Sequence, residues 1–246
     1  MLSGKRFLIT GANGGIGSSI SNLFLQNNAD LVLMYYQNRN NVDKLVEKNK
    51  NSKIELHEVN LLDNEKINTS MKKILASGAI DGFIHCVSLP LEIKSSANAS
   101  WDEFQLNIEI QTKSFFQIVK YIIPIMKNLK QGKILTILSS AIVGRPPNNM
   151  APYIVSKYSL LGLSKSLAIE LAPFGINVNS ISPFMVDTPL IEKFPNKLKE
   201  ITKSQVPLNR LAVSNDIAFA ALFLCSEHSN YICGENLILS GGHTLH

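Results

Sequence analysis

Short apolar runs alternate with helical stripes along the whole of this 246-residue chain. Arg6–Thr10 and Asp30–Tyr35 read as strands, and Lys53–Val59, Ala79–Val87, Gly132–Ser139, Ile176–Ile181 and Glu235–Leu239 continue the series. Between them, apolar residues recur every three or four positions: Ile16, Ile20, Leu23 and Phe24; then Ile67, Met71, Ile74 and Leu75; then Leu160, Leu163, Leu167 and Leu171. Trp101 to Leu129 is one long helical stretch, and Asn215 to Ser226 a shorter one. Strands separated by helices predict βαβ units, because parallel neighbours need a crossover that returns the chain to the same sheet edge. The expected architecture is a single-domain α/β fold, a doubly wound parallel sheet of about seven strands with helices on both faces. No repeat or break in composition divides residues 1–246. The segment at about 184–205, flanked and broken by prolines, is a candidate substrate lid.

Composition excludes several classes. Hydrophobic residues make up 45% and charged residues 17% of the chain, enough apolar material for a sizeable core. No run approaches the roughly 20 apolar residues that span a bilayer; Ile217–Cys225 reads as a buried helix. Lys5 and Arg6 precede only Phe7, Leu8 and Ile9 before a glycine-rich turn, which is not a signal-peptide pattern. Cys86, Cys225 and Cys233 lack CxxC spacing and read as reduced, mostly buried thiols of a cytoplasmic protein. The net charge of +5 comes from scattered lysines without a basic helix, which argues against a nucleic-acid partner. Histidines 57, 85, 228, 243 and 246 show no metal-ligand spacing, and His243 and His246 read as a solvated tail.

Two constellations carry chemistry. Thr10-Gly11-Ala12-Asn13-Gly14-Gly15-Ile16-Gly17 stands where the first strand gives way to the first helix. Glycines there allow a tight turn and let phosphates approach the amides and positive dipole of a helix N-terminus. The spacing is G-x-x-x-G-x-G rather than G-x-G-x-x-G. The second constellation is Tyr153-Ile154-Val155-Ser156-Lys157. Residues four apart share a helix face, so ammonium and phenol project together, and a cation lowers the pKa of a phenol that titrates near 10 when unperturbed. Ser139 and Ser140 end the preceding strand, with thirteen positions from Ser140 to Tyr153.

In these motifs the chain resembles the short-chain dehydrogenase/reductase family over nearly its full length, and most resembles bacterial 3-oxoacyl-[acyl-carrier-protein] reductases. The family's Asp-x-x-Asn-Asn-Ala-Gly falls on Asp81–Ser88, its Pro-Gly turn and following Thr on Pro183, Phe184 and Thr188, and its closing Asp-Gly-Gly on Ser240–Gly242. The resemblance implies a Rossmann-like fold and a catalytic tetrad of Asn107, Ser140, Tyr153 and Lys157. Tyr153 would protonate the substrate oxygen as hydride arrives, Ser140 would hold that oxygen, Lys157 would lower the phenol's pKa and bind ribose, and Asn107 would position a relay water. Cofactor contacts would come from Gly11, Asn13, Gly14, Gly15, Ile16, Gly17, Tyr36, Arg39, Asn60, Leu61, Cys86, Val87, Pro183, Val186 and Thr188, besides Tyr153 and Lys157. Substrate would touch Ser140, Tyr153, Phe184 and Met185, and no metal is implied.

Departures from the family pattern sit beside the cofactor. Asn-Asn-Ala-Gly has become His85-Cys86-Val87-Ser88, and the glycine after Pro183 is Phe184. His85 reads as a packing or backbone-contact residue rather than a catalytic one. The family position that holds an acid in NAD-selective members is Tyr35, and Arg39 follows, which points to NADP(H) with Arg39 on the 2′-phosphate. Phe184, Met185, Leu190, Ile191 and Phe194 supply an apolar wall suited to a 3-oxoacyl thioester. Lys127, Lys130 and Lys133 offer a surface for an acyl carrier protein, although Phe174 stands where carrier-docking members tend to have a basic residue. Phe115, Ile118, Ile122 and Leu161 exceed what one buried face needs, which suggests a homotetramer. A reductase of another small ketone, sugar or polyol is the runner-up, and a dinucleotide-sensing protein is the non-enzyme alternative, although such a sensor has no use for Tyr153 and Lys157 together.

Overall fold

The computed structural model describes residues 1–192 and 194–245. Seven strands, β1 (Arg6–Thr10), β2 (Asp30–Tyr35), β3 (Ile54–Glu58), β4 (Gly82–His85), β5 (Gly132–Ile137), β6 (Ile176–Pro183) and β7 (Asn236–Leu239), form one sheet. Their order is β3-β2-β1-β4-β5-β6-β7, and every neighbouring pair is parallel. The chain starts at the centre, winds out to β3, and returns to begin the other half at β4. That reversal opens a crevice above the carboxyl ends of β1 and β4, the place where doubly wound sheets bind ligands.

The helices are α1 (Gly15–Gln26), α2 (Asn40–Lys48), α3 (Asn64–Ala76), α4 (Trp101–Ile108), α5 (Ser114–Leu129), α6 (Ala151–Leu171), α7 (Asn196–Gln205) and α8 (Ser214–Leu224). They cover both faces, because successive strand residues point to opposite sides. On β1, Leu8 joins a core with Phe83, Phe115, Ile118 and Leu160, whereas its neighbours Phe7 and Ile9 join the other core with Phe24, Ile217 and Ala221. A Ser100–Glu103 capping box starts α4, satisfying amide groups that the first helical turn leaves open.

The structure departs from the sequence expectations in instructive places. β4 stops at His85, because the chain then leaves the ladder to floor the crevice. The polar helix α2 carries little apolar periodicity, since among its residues only Val42 and Leu45 are buried. The proline-rich region around 184–205 contains the ten-residue helix α7. The stretch from Trp101 to Leu129 is interrupted by a π turn at Glu109–Lys113. Phe115, Ile118 and Ile122 are fully buried in the monomer's own core; the large apolar residues left exposed on α4, α5 and α6 are Trp101, Leu106, Phe116, Leu129, Val155, Tyr158 and Ile169. The three cysteines are free: Cys225 is buried, Cys86 partly buried and Cys233 exposed. Among the described residues no helix is long and apolar enough to cross a membrane, and no group of His, Cys, Asp and Glu suits a metal ion.

Candidate active site

The crevice is a cleft of about 860 Å³ lined by the turn Gly11–Gly17, by Tyr36, Asn60, Leu61, Cys86 and Val87, and by Tyr153 and Lys157. Its glycines are required by geometry. Gly11 has φ 67°, and an added Cβ would overlap the Cys86 carbonyl; a Cβ on Gly17 would overlap the Gly11 carbonyl. The turn is therefore packed against the end of β4 on one side and against itself on the other. Asn13 ties it to α2: its Oδ1 accepts from the amides of Asn41 (2.9 Å) and Val42 (3.2 Å), which satisfies open amides at that helix's start. Asn60 Oδ1 accepts from the Leu62 amide at 3.1 Å. With open amides at the start of α1 and glycines that admit a phosphate closely, the cleft fits a dinucleotide.

Tyr153 and Lys157 lie near the start of α6 and face the cleft. Lys157 is buried, and its Nζ donates to Gln111 Oε1 at 3.0 Å and to the Ile137 carbonyl at 2.8 Å. Burial lowers the Lys157 ammonium to about 8. The Nζ stands 5.7 Å from the centre of the Tyr153 ring. Burial raises the Tyr153 phenol above its usual value, opposed by a hydrogen bond with the Ser139 side chain. The phenol thus holds its proton at neutral pH rather than being lowered by the lysine, a state that suits a proton donor.

A second cavity of about 550 Å³ adjoins the first and shares Tyr153, Leu138, Thr188 and Leu190 with it. Its walls include Leu91, Met150, Phe184, Met185, Phe194 and Leu198. His243, exposed as the sequence suggests, also stacks on Phe184 with ring centres 3.9 Å apart and lines this cavity. The two cavities therefore adjoin at the Tyr153 side chain.

A family model described as enoyl-(acyl carrier protein) reductase matches residues 11–244. The chain belongs to the short-chain dehydrogenase/reductase family. It is 30% identical to the 3-oxoacyl-[acyl-carrier-protein] reductase of Thermotoga maritima over 98% of both chains. It is 32% identical to that of Rickettsia typhi, over 98% of this chain and 97% of the relative. The crystal structure of 3-ketoacyl-(acyl-carrier-protein) reductase from Brucella melitensis complexed with NADH superposes with a TM-score of 0.90 over the whole of both chains, at 25% identity. As a short-chain dehydrogenase/reductase, the protein is an oxidoreductase acting on carbonyl and hydroxyl groups, from a family that binds NAD(H) or NADP(H).

Within this dehydrogenase/reductase site, several residues stand elsewhere than the sequence placed them. Asn107 does not join the group: its Nδ2 donates to the Glu103 carbonyl of its own helix at 2.9 Å. The amide that reaches Lys157 is Gln111, one turn further on and within the π turn, which a match by residue type to the family's asparagine passes over. Both paired serines line the second cavity with Tyr153; Ser140 begins a 3-10 turn, and the Ser139 side chain is the one that favours the ionised Tyr153 phenol. Arg39 is turned from the cleft: its Nε donates to Asp43 at 2.8 Å and its guanidinium sits 5.7 Å from the Tyr35 ring centre. Lys44 of α2 lines the cleft instead. Pro183 and Val186 line the substrate cavity rather than the cleft, Phe184 and Met185 line it as expected, and Thr188 borders both. Lys127 is held by Glu170 at 3.1 Å and lies over the Phe174 ring, and Lys133 donates to Asn177 and Asn230 at 2.8 Å each. These lysines do not form a free cationic patch.

Proposed function

We propose that the protein is an NADPH-dependent carbonyl reductase that reduces a 3-oxoacyl thioester. The observation carrying this reading is the apolar cavity that opens onto the Tyr153 phenol, with no carboxylate among its described lining residues. An acyl chain buries well against Leu, Phe and Met side chains, whereas unpaired sugar hydroxyls there are costly. Bound nicotinamide supplies the hydride. Tyr153 donates a proton to the substrate oxygen, the Ser139 hydroxyl lies beside that phenol to hold the same oxygen, and the Lys157 ammonium beside the ring stabilises the phenolate left behind. Ser139→Ala is expected to lower kcat/KM on the order of 100-fold, more than Ser140→Ala does; a larger loss for Ser140→Ala returns the role to that residue.

A reductase of a small ketone, sugar or polyol is the second reading, favoured by Asn148, Thr202 and Gln205 in the same cavity. Acetoacetyl thioester assayed beside keto-sugars and small ketones decides between them. Good turnover of a keto-sugar without turnover of the thioester sinks the acyl reading.

The choice of NADPH rests on the rim of the cleft. Tyr35, Tyr36, Gln37 and Asn38 stand at the end of β2 without a carboxylate, and Lys44 points its exposed cation into the same space. Lys44→Glu is expected to lower kcat/KM for NADPH by about tenfold or more, the worth of one charge-assisted hydrogen bond, with NADH spared. Wild-type enzyme preferring NADH overturns the assignment.

A homotetramer is inferred from the exposed Leu106, Phe116, Val155, Tyr158 and Ile169 on α4, α5 and α6, apolar area that a second subunit would cover. Light scattering at micromolar concentration is expected to give four times the chain mass of 27.2 kDa; a monomer mass refutes it.

A further inference from the structure

Gln111 lies in the middle of the π turn and is fully buried. A π turn pairs amides with carbonyls five residues back, so it disturbs the ordinary ladder and frees a carbonyl for another partner. The Gln111 carbonyl accepts from His85 Nε2 at 2.9 Å. A carbonyl only accepts, so Nε2 carries the hydrogen and Nδ1 is left to accept from the Thr10 hydroxyl at 3.0 Å. The side-chain amide is fixed by the same reasoning. Gln111 Nε2 donates to the Val87 carbonyl at 2.9 Å, which turns Oε1 toward Lys157, a pure donor at 3.0 Å. Every group in this chain has one role that its partners allow.

We propose that Gln111, clamped by His85 through the π turn, is the positioning residue that holds the Lys157 ammonium against Tyr153 by direct contact. The proposal rests on the reading of Tyr153 and Lys157 as the reacting pair. Gln111 Oε1 and the Ile137 carbonyl are both acceptors with no proton to give, so the interior face of the ammonium is closed to proton supply. Its remaining N–H is left for the cofactor cleft that Lys157 lines. The clamp also links sites: Thr10 opens the glycine turn, His85 ends β4, and Gln111 sits between α4 and α5. The titratable groups facing Lys157 are Tyr153 on its own helix and His85 and Cys86 from the end of β4. All three are uncharged at neutral pH, since burial lowers His85 to about 3, raises Cys86 to about 12 and raises Tyr153.

Two near-isosteric variants test this with opposite expected signs. Gln111→Met removes an acceptor from the charged ammonium. It is expected to lower kcat roughly 10- to 100-fold through misplacement of the lysine, to leave KM for the carbonyl substrate nearly unchanged, and to move the alkaline limb of the kcat profile to lower pH. Gln111→Glu places a carboxylate on the ammonium and is expected to move that limb to higher pH. Asn107→Ala is expected to cost less than Gln111→Met. The assay is NADPH oxidation with acetoacetyl thioester, with folding followed by thermal melting and nucleotide binding by fluorescence. If Gln111→Met fails to fold, the Gln111→Glu limb decides alone. An unmoved limb in the folded variants, or a larger loss for Asn107→Ala, overturns the proposal. Tyr153→Phe is assayed in parallel: if it keeps the wild-type rate, the Tyr153–Lys157 reading has failed rather than the role of Gln111.

Discussion

Tyr153→Phe is expected to lower kcat by roughly 10²- to 10⁴-fold, the usual worth of a positioned general acid. The substitution removes one oxygen from a side chain that packs partly against the core containing Phe83, Leu160 and Leu167, and the ring that fills that space remains. The phenol stands where the cleft and the second cavity meet, so on the proposed reading its loss removes the proton donor without disturbing the glycine turn. KM for NADPH should therefore change little, and the melting temperature should stay close to that of the wild type. In free-energy terms, a matching fall in kcat and kcat/KM marks an interaction made only in the transition state. Steady-state kinetics on purified Tyr153→Phe checks this, and a rate near that of the wild type removes the residue from the mechanism.

Local pattern explains what was legible in the sequence. The β1–turn–α1 unit, the parallel sheet and the Tyr153–Lys157 pair follow from short-range periodicity, and in each the residues that matter lie within a few positions of one another. The parts that are harder to read lie at local irregularities and in polar segments. Matching the family's helix asparagine by residue type selects Asn107, but the side chain that meets Lys157 is Gln111, within the π turn at Glu109–Lys113. Counting thirteen positions back from Tyr153 selects Ser140, which lines the same cavity as Tyr153, but its neighbour Ser139 lines that cavity too and acts on the phenol. Arg39 reads as free in the sequence because α2 carries little apolar signal, and it is the first turn of α2 that presents Asp43 to its guanidinium. The surplus apolar residues of the long helix were judged by number, whereas the fold buries Phe115, Ile118 and Ile122 within one subunit. His85 shows the opposite case: a substitution that looks disruptive at the end of β4 is paired on both ring nitrogens.

That pairing makes stability depend on acid in a direction that can be worked out. Burial is the main cause that lowers His85 to about 3 from 6.5, with the nearby Lys157 charge adding to it. Between those values the folded protein keeps the imidazole neutral while the unfolded chain takes up a proton. The unfolded state then binds more protons, so stability rises with pH across this window and is lost as pH falls from 6.5 toward 3. One such group contributes up to about 1.4 kcal/mol per pH unit, or roughly 5 kcal/mol over the window, against a total that is typically 5–15 kcal/mol. His85→Gln keeps a neutral donor and acceptor but removes the titration. Whatever constant penalty that replacement brings, the slope of unfolding free energy against pH between 6.5 and 5 should be shallower than in the wild type by about one proton's worth. Carboxylates with ordinary values near 4 contribute little there, so the difference isolates the histidine. Urea unfolding of both proteins at fixed concentration across this range measures it. Parallel slopes would show that the imidazole titrates in the folded protein as it does in the unfolded chain.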